Sequence, residues 1–192
     1  MFAQPLLYLA LLFSTTPQER DFYLRLSDAA LLLTEQTVVY DSRYVRIPYP
    51  GGDVPPNTGV CTDVVIRAYR KLGIDLQQEV HEDMKRHFNK YPQQWGRRLP
   101  DAHIDHRRVP NLETFFSRQG VKLPATRNAS DYSPGDLVTW RIDNRLPHIG
   151  IVVAKKSAHG QRHLVVHNVG AGQVVEDCLF RYPITGHFRY RK

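Results

Sequence analysis

At 192 residues, 42% hydrophobic and 23% charged, the chain is long enough for one domain with a proper core and short for two, and chain-wide disorder is excluded. The net charge of +7 is spread along the sequence. It serves solubility first; as a partner signal it favours anions, and no zinc-finger spacing or aromatic RNA-binding signature singles out nucleic acid. Only two cysteines occur, Cys61 and Cys178, which excludes a disulfide framework and leaves no C-x-x-C pair for structural zinc.

The chain opens on an apolar run at residues 5–13 (PLLYLALLF), followed by Ser14, Thr15, Thr16 and Pro17. Its length suits the h-region of a secretory signal and falls short of a transmembrane span. Residues 1–16 are therefore read as a signal peptide and residues 17–192 as a single domain, periplasmic or secreted and not stably inserted in a membrane; a buried N-terminal helix is the competing reading. Residues 18–36 carry Phe22, Leu26, Ala29, Ala30 and Leu33 at helical spacing. Residues 49–59, dense in Pro and Gly, form a loop. A second helix starts at Cys61, with Val64, Val65, Ala68, Tyr69 and Leu72 on one face and Gly73 as its stop. A third spans residues 76–88, and residues 91–109 are irregular. Pro110 is expected at the first position of a helix that runs to Gly120. Residues 136–142, 148–154, 163–168, 173–176 and 184–190 are short and β-branched or aromatic, separated by turn residues, and read as strands. Helices first and an antiparallel sheet afterwards make an α+β domain.

Cys61 follows a Gly-rich loop and heads an amphipathic helix. Unsatisfied N–H groups and the positive end of the helix dipole are expected there to lower the thiol pKa, and the same N–H groups could hold an oxyanion. The alternative is a buried small hydrophobe. His148 opens the strand HIGIVVA, where a polar residue at a strand end can project into a cleft and act as a base. A third polar group must orient that base. His167 and Asn168 are the candidates, on opposite faces of one strand, and periodicity does not choose between them.

The order Tyr49-x-Gly51-Gly52, Cys61 at a helix start, Pro134-Gly135-Asp136-Leu137, His148-Ile149-Gly150-Ile151-Val152 and Val166-His167 resembles the NlpC-like cell-wall cysteine peptidases. The resemblance implies a papain-like fold, with N-terminal helices packed on an antiparallel sheet. It also implies a triad of Cys61, His148 and His167, with Tyr49 near the substrate or oxyanion. The runs GVCTDVVIRAYRKLGIDLQ, VHEDM, IDHRRVPNL, PGDLVTW, LPHIGIVV and ITGHFRY are similar to a bacterial family called domain of unknown function 1287. Cell-wall members commonly carry Asp before the Cys, where it helps hold a substrate amine; here Val60 stands there, and Asp63 is the candidate replacement. Residues 77–110 make the stretch between Cys61 and His148 longer than is usual in the family. The implied activity is hydrolysis of amide bonds by an amidase or peptidase, with peptidoglycan or another peptide as substrate and no cofactor. The alternatives are acyl transfer or deacylation on the same fold, a non-catalytic wall-binding module, and a metal site at Cys61, His148 and His167.

The remaining polar clusters have simpler readings. Asp101, His103, Asp105 and His106 are expected to form a hydrogen-bonded loop rather than a metal site. Arg107 and Arg108 could grip a substrate carboxylate, although loop Arg pairs are usually solvated. His159 and His163 are read as exposed hairpin residues, and Cys178 as buried and inert.

Overall fold

The computed structural model describes residues 16–192; the apolar run at residues 5–13 and its reading as an export signal lie outside the described residues. Among the described residues, no helix is long and apolar enough to cross a membrane. Helix α1 (Pro17–Leu33) buries Leu26, Ala29, Ala30 and Leu33, the stripe its periodicity gives. It stops short of residue 36 because Thr34 turns its hydroxyl back on the Leu31 carbonyl at 2.7 Å and a turn follows. Helix α2 (Cys61–Lys71) is buried from Cys61 through Tyr69, as befits an element with packing on every side. Gly73, at φ +80°, supplies the left-handed residue that ends it. Helix α3 (Leu76–His87) is capped by Asp75, which accepts from the Gln77 N–H at 3.0 Å. Helix α4 (Val109–Gln119) begins one residue before Pro110, which takes the second position, where a missing N–H also costs no helical hydrogen bond.

Two short strands, β1 (Val39–Tyr40) and β2 (Thr58–Gly59), form a parallel ladder just before α2. The main sheet contains β3 (Val121–Lys122), β4 (Leu137–Ile142), β5 (Leu146–Lys156), β6 (His163–His167), β7 (Val174–Glu176) and β8 (Ile184–Arg189). Its order is β3-β8-β4-β5-β6-β7, antiparallel throughout. The fold is α+β, with α1 and α2 on one face of the sheet. Ile149, Ile151 and Val153 of β5 point into the helix side. Val152 points the other way, into a smaller cluster with Tyr132, Val138, Trp140, Val165 and Leu179. Both faces of the central strands are therefore buried. β1, β2 and β3 were not expected from the sequence; at two residues each they carry no readable alternation.

The turn into β4 is built by Pro134-Gly135-Asp136. Asp136 is fully buried and accepts from the Ser133 N–H at 2.8 Å, from His187 Nε2 at 2.7 Å and from Arg189 Nε, so it fastens β4 to β8. Gly135 has φ +86°, and a Cβ there would lie 2.6 Å from the Tyr23 carbonyl oxygen on α1. Gly135→Ala should therefore destabilise the fold by at least about 1 kcal/mol, lowering Tm by roughly 2–4 °C or more. Thermal unfolding followed by circular dichroism measures this, and an unchanged Tm would show that α1 does not dock on that turn.

Candidate active site

Cys61 is the first residue of α2, and a capping box puts it there. Val60 is extended, its N–H is held by Asp63 Oδ2 at 2.7 Å, and the Asp63 N–H returns to the Val60 carbonyl at 3.1 Å. Arg107 then closes on Asp63 through Nε and Nη2, both at 2.9 Å. This ion pair is almost completely buried, and it locks the start of α2 to the segment before α4. The Cys61 side chain opens on a cleft of about 210 Å³ walled by Tyr40, Trp95, Arg107, Arg108 and Pro147.

His148 lies on β5 directly opposite Trp140 of β4, and their rings are 5.8 Å apart. His148 Nε2 is 3.0 Å from His167 Nδ1, His167 Nε2 is 2.9 Å from Glu176 Oε2, and Glu176 Oε1 is held by Arg181. The register places Glu176 opposite Val165, two residues from His167, so the relay shares one face of β5, β6 and β7. Gly150 makes the histidine pair possible. It lies across from His167, and a Cβ on it would sit 3.2 Å from His167 Cβ and 2.6 Å from Val165 Cγ1. Cys61 approaches from the helix side. The β5–β6 pairing ends at Ile151↔Val166, and the Ile149 backbone, next to His148, is close enough to the Cys61 sulfur to favour its thiolate.

The protons along this chain follow from its last member. Attachment to Arg181 and His167 outweighs burial and keeps the Glu176 carboxyl below its usual range, so it is ionised and can only accept. His167 Nε2 must then carry the hydrogen, which leaves Nδ1 to accept from His148 Nε2–H. Neutral His148 is left with an unprotonated Nδ1, the nitrogen that can take a proton from a thiol.

The sequence pattern of the domain of unknown function DUF1287 matches residues 27–190. The chain belongs to the DUF1287 family. It is 53% identical over 167 residues to the uncharacterised protein YijF of Escherichia coli strain K12, covering 87% of this chain and 81% of that protein. Among solved structures it is similar to NlpC1 from Trichomonas vaginalis at 18% identity and a TM-score of 0.47, covering 86% of this chain and 44% of that one.

In this DUF1287 chain the sequence candidates fall into two groups. His148 and His167 are hydrogen-bonded to one another, and Cys61 lies by the Ile149 backbone, one residue from His148. Asn168 does not join them: its Nδ2 donates to the Gly59 carbonyl at 3.2 Å and its Oδ1 accepts from the Gly170 N–H at 3.1 Å, so it ties the end of β6 to the strand before Cys61. Tyr49 lies away from the nucleophile, donating to Glu82 at 2.8 Å and packed against His81. Tyr40 is the tyrosine in the cleft, and the charges of Cys61 and Asp63, after burial, raise its pKa. Asp63, considered for an amine contact, is buried on Arg107 and the Val60 N–H and does not line the cleft. Sequence reasoning missed Tyr40 because nothing marks a two-residue strand, and Glu176 because its role depends on register.

The loop cluster is a hydrogen-bonded one. Asp105 accepts from the Asp101 N–H, His103 Nδ1 faces the Ile47 carbonyl at 2.9 Å, and His106 is buried. Neither these residues nor Cys61, His148 and His167 gather as a metal-ligand group. Among the described residues the atoms that do are on His167, Glu176 and Cys178, within 4.8 Å of one another, where Arg181 already holds the carboxylate. Cys178 is buried as expected, and His159 is exposed. His163 is half-buried rather than exposed, because its Nδ1 faces the Val153 carbonyl at 2.9 Å.

Burial pushes the Cys61 thiol up to about 11, against backbone hydrogen bonds from Ile149, Thr62 and Cys61 itself. This reverses the expectation of a lowered value at the helix start: desolvation of the anion outweighs the N–H groups. Alkylation of Cys61 by iodoacetamide should therefore keep rising as the pH passes about 8.5, with no plateau near neutrality. Cys178, pushed by burial up to about 12, should lag behind. A plateau at neutral pH would mean a preformed thiolate.

Burial, with the neighbouring His167 next, lowers His148 to about 3; burial, with Arg107 next, lowers His106 to about 3. The unfolded chain protonates both near pH 6.5, so each group removes stability as the pH falls from 6.5 towards 3 and contributes no slope above 6.5. Inside that window the slope is about 1.4 kcal/mol per pH unit for each histidine. Urea unfolding at pH 7.5, 6 and 5 should show a falling midpoint, and His106→Leu should reduce that fall by about half, leaving the His148 share. A midpoint constant from 7.5 to 5 would contradict burial of neutral histidines.

Proposed function

We propose that this chain is a cysteine hydrolase of amide bonds acting on peptides, with peptidoglycan stem peptides as the substrate class. The observation that carries this reading is the ordered relay from Glu176 through His167 to His148. It ends on a bare Nδ1 in His148, one residue from the Ile149 backbone that favours the Cys61 thiolate. A buried structural histidine has no need of a tautomer fixed by two further residues.

In the proposed reaction His148 Nδ1 takes the Cys61 proton as Sγ attacks the substrate carbonyl, and the resulting oxyanion accepts from the N–H groups at the start of α2. The C–N bond breaks when the imidazolium returns its proton to the departing amine, leaving a thioester on Cys61. Water then loses a proton to His148, attacks the thioester carbon and releases the acyl group as a carboxylic acid, restoring the thiol. With the thiol raised and the imidazole lowered, the resting pair is neutral and the proton moves only as the attack proceeds. A wall substrate requires the periplasmic or secreted location that the apolar run at residues 5–13 supports.

Wild-type protein incubated with purified peptidoglycan should release fragments identifiable by mass spectrometry, and Cys61→Ala should release none. His167→Ala should cut kcat by roughly 10²-fold or more with folding retained, whereas Asn168→Ala should act mainly on stability. Sequencing the N-terminus of protein recovered from the periplasm checks the location. Release that persists in Cys61→Ala would end the nucleophile assignment.

A further inference from the structure

The cleft beside Cys61 has an unusual charge arrangement. Among the described residues its only charged lining side chains are Arg107 and Arg108; no carboxylate reaches its surface. The acids that balance them lie behind the wall, with Asp63 and Asp105 both almost fully buried. Asp63 accepts from Arg107 and the Val60 N–H, and Arg107 gives two further N–H groups to the carbonyls of Asp41 and Arg43. Arg107 is therefore a structural cation.

Arg108 differs. Its Nη1 donates to Asp105 Oδ1 at 3.1 Å, and its other guanidinium nitrogens have no hydrogen-bond partner among the described residues. The guanidinium carbon rests 4.0 Å from the centre of the Trp95 ring, and Trp95 also lines the cleft. An aromatic plane under a planar cation fixes the fork without occupying its edge donors, so little rotamer entropy remains to be lost when an anion binds. Asp105 takes only one of Arg108's edge donors, because its second oxygen accepts from the Asp101 N–H.

We propose that this cleft selects an acyl group bearing a free carboxylate close to the scissile amide, gripped by Arg108 on its Trp95 platform. The inference rests on the hydrolase reading for the word "scissile" and on the cleft alone for the carboxylate. A substrate ammonium group, by contrast, finds no acceptor charge there. The ligand class is thus an acidic peptide rather than one recognised through its amino terminus.

The test separates binding from turnover. Full-length Cys61→Ala protein is titrated calorimetrically with three probes: N-acetyl-alanyl-glutamate γ-methylamide with its α-carboxylate free, its diamide twin with that carboxylate converted to an amide, and the unacetylated diamide. The acid should bind at least about ten-fold more tightly than the diamide, and added salt should narrow the gap. Arg108→Gln should abolish the preference. Arg108→Lys, which keeps the charge facing Asp105 but loses the fork, should retain only part of it and serves where Arg108→Gln fails to fold. Equal binding of acid and diamide, tightest binding of the amine-bearing probe, or binding of none would overturn the proposal. Turnover of the acid and diamide by the wild-type chain is measured separately. Acid-selective binding with no turnover removes the hydrolase reading and leaves the carboxylate subsite, whereas equal turnover of acid and diamide removes the subsite and leaves the hydrolase.

Discussion

An ionised carboxylate can only accept hydrogen bonds, and the geometry around His148 depends on that constraint. Glu176 lies at the far end of a chain of two histidines, each of which could hold its proton on either nitrogen. Once Glu176 is ionised against Arg181, neither ring has a choice. The sheet carries this ordering. Glu176 opposite Val165 and Gly150 across from His167 are consequences of strand register. A slip of one residue in β6 would send His167 to the helix side and bring Asn168 in its place. The chemistry of one imidazole is thus tied to pairing across three strands.

The same burial that orders the relay opposes ionisation of its members. Cys61 is raised and His148 lowered, both chiefly by loss of solvent, so a standing thiolate–imidazolium pair is disfavoured on each side. The start of α2 and the Ile149 backbone offset part of this cost for the thiolate but do not cancel it. Such an arrangement keeps the Cys61 thiol protonated, and so less prone to oxidation.

Much of this was legible in the sequence. The apolar stripe of α1, the helix headed by Cys61 and the five longer strands follow from periodicity and turn residues. The sequence also singled out His148 and His167, which the fold joins by a hydrogen bond. What stayed hidden depends on contacts between distant segments. His167 and Asn168 are equivalent to a reader of alternation, and only the pairing of β5, β6 and β7 separates them. Tyr49 matched a motif, yet its hydroxyl goes to Glu82, while Tyr40 reaches the cleft through a ladder too short to carry a pattern. Neighbouring N–H groups can be read from a helix start, but the depth of burial cannot, and that is why the expected direction for the Cys61 thiol failed.

The residues around Cys61 share a common constraint. Val60 precedes Cys61, and the nearest acid, Asp63, comes three residues after Val60, at the position from which a side chain reaches back to the start of its own helix. A carboxylate buried there needs a cation, and Arg107 provides it from the long segment between α3 and α4. That segment also delivers Trp95 and Arg108 to the wall of the cleft. Asp63 thus takes that segment as its structural partner, keeps its own charge out of the cleft lining and leaves guanidinium groups as the charged side chains facing whatever binds beside Cys61.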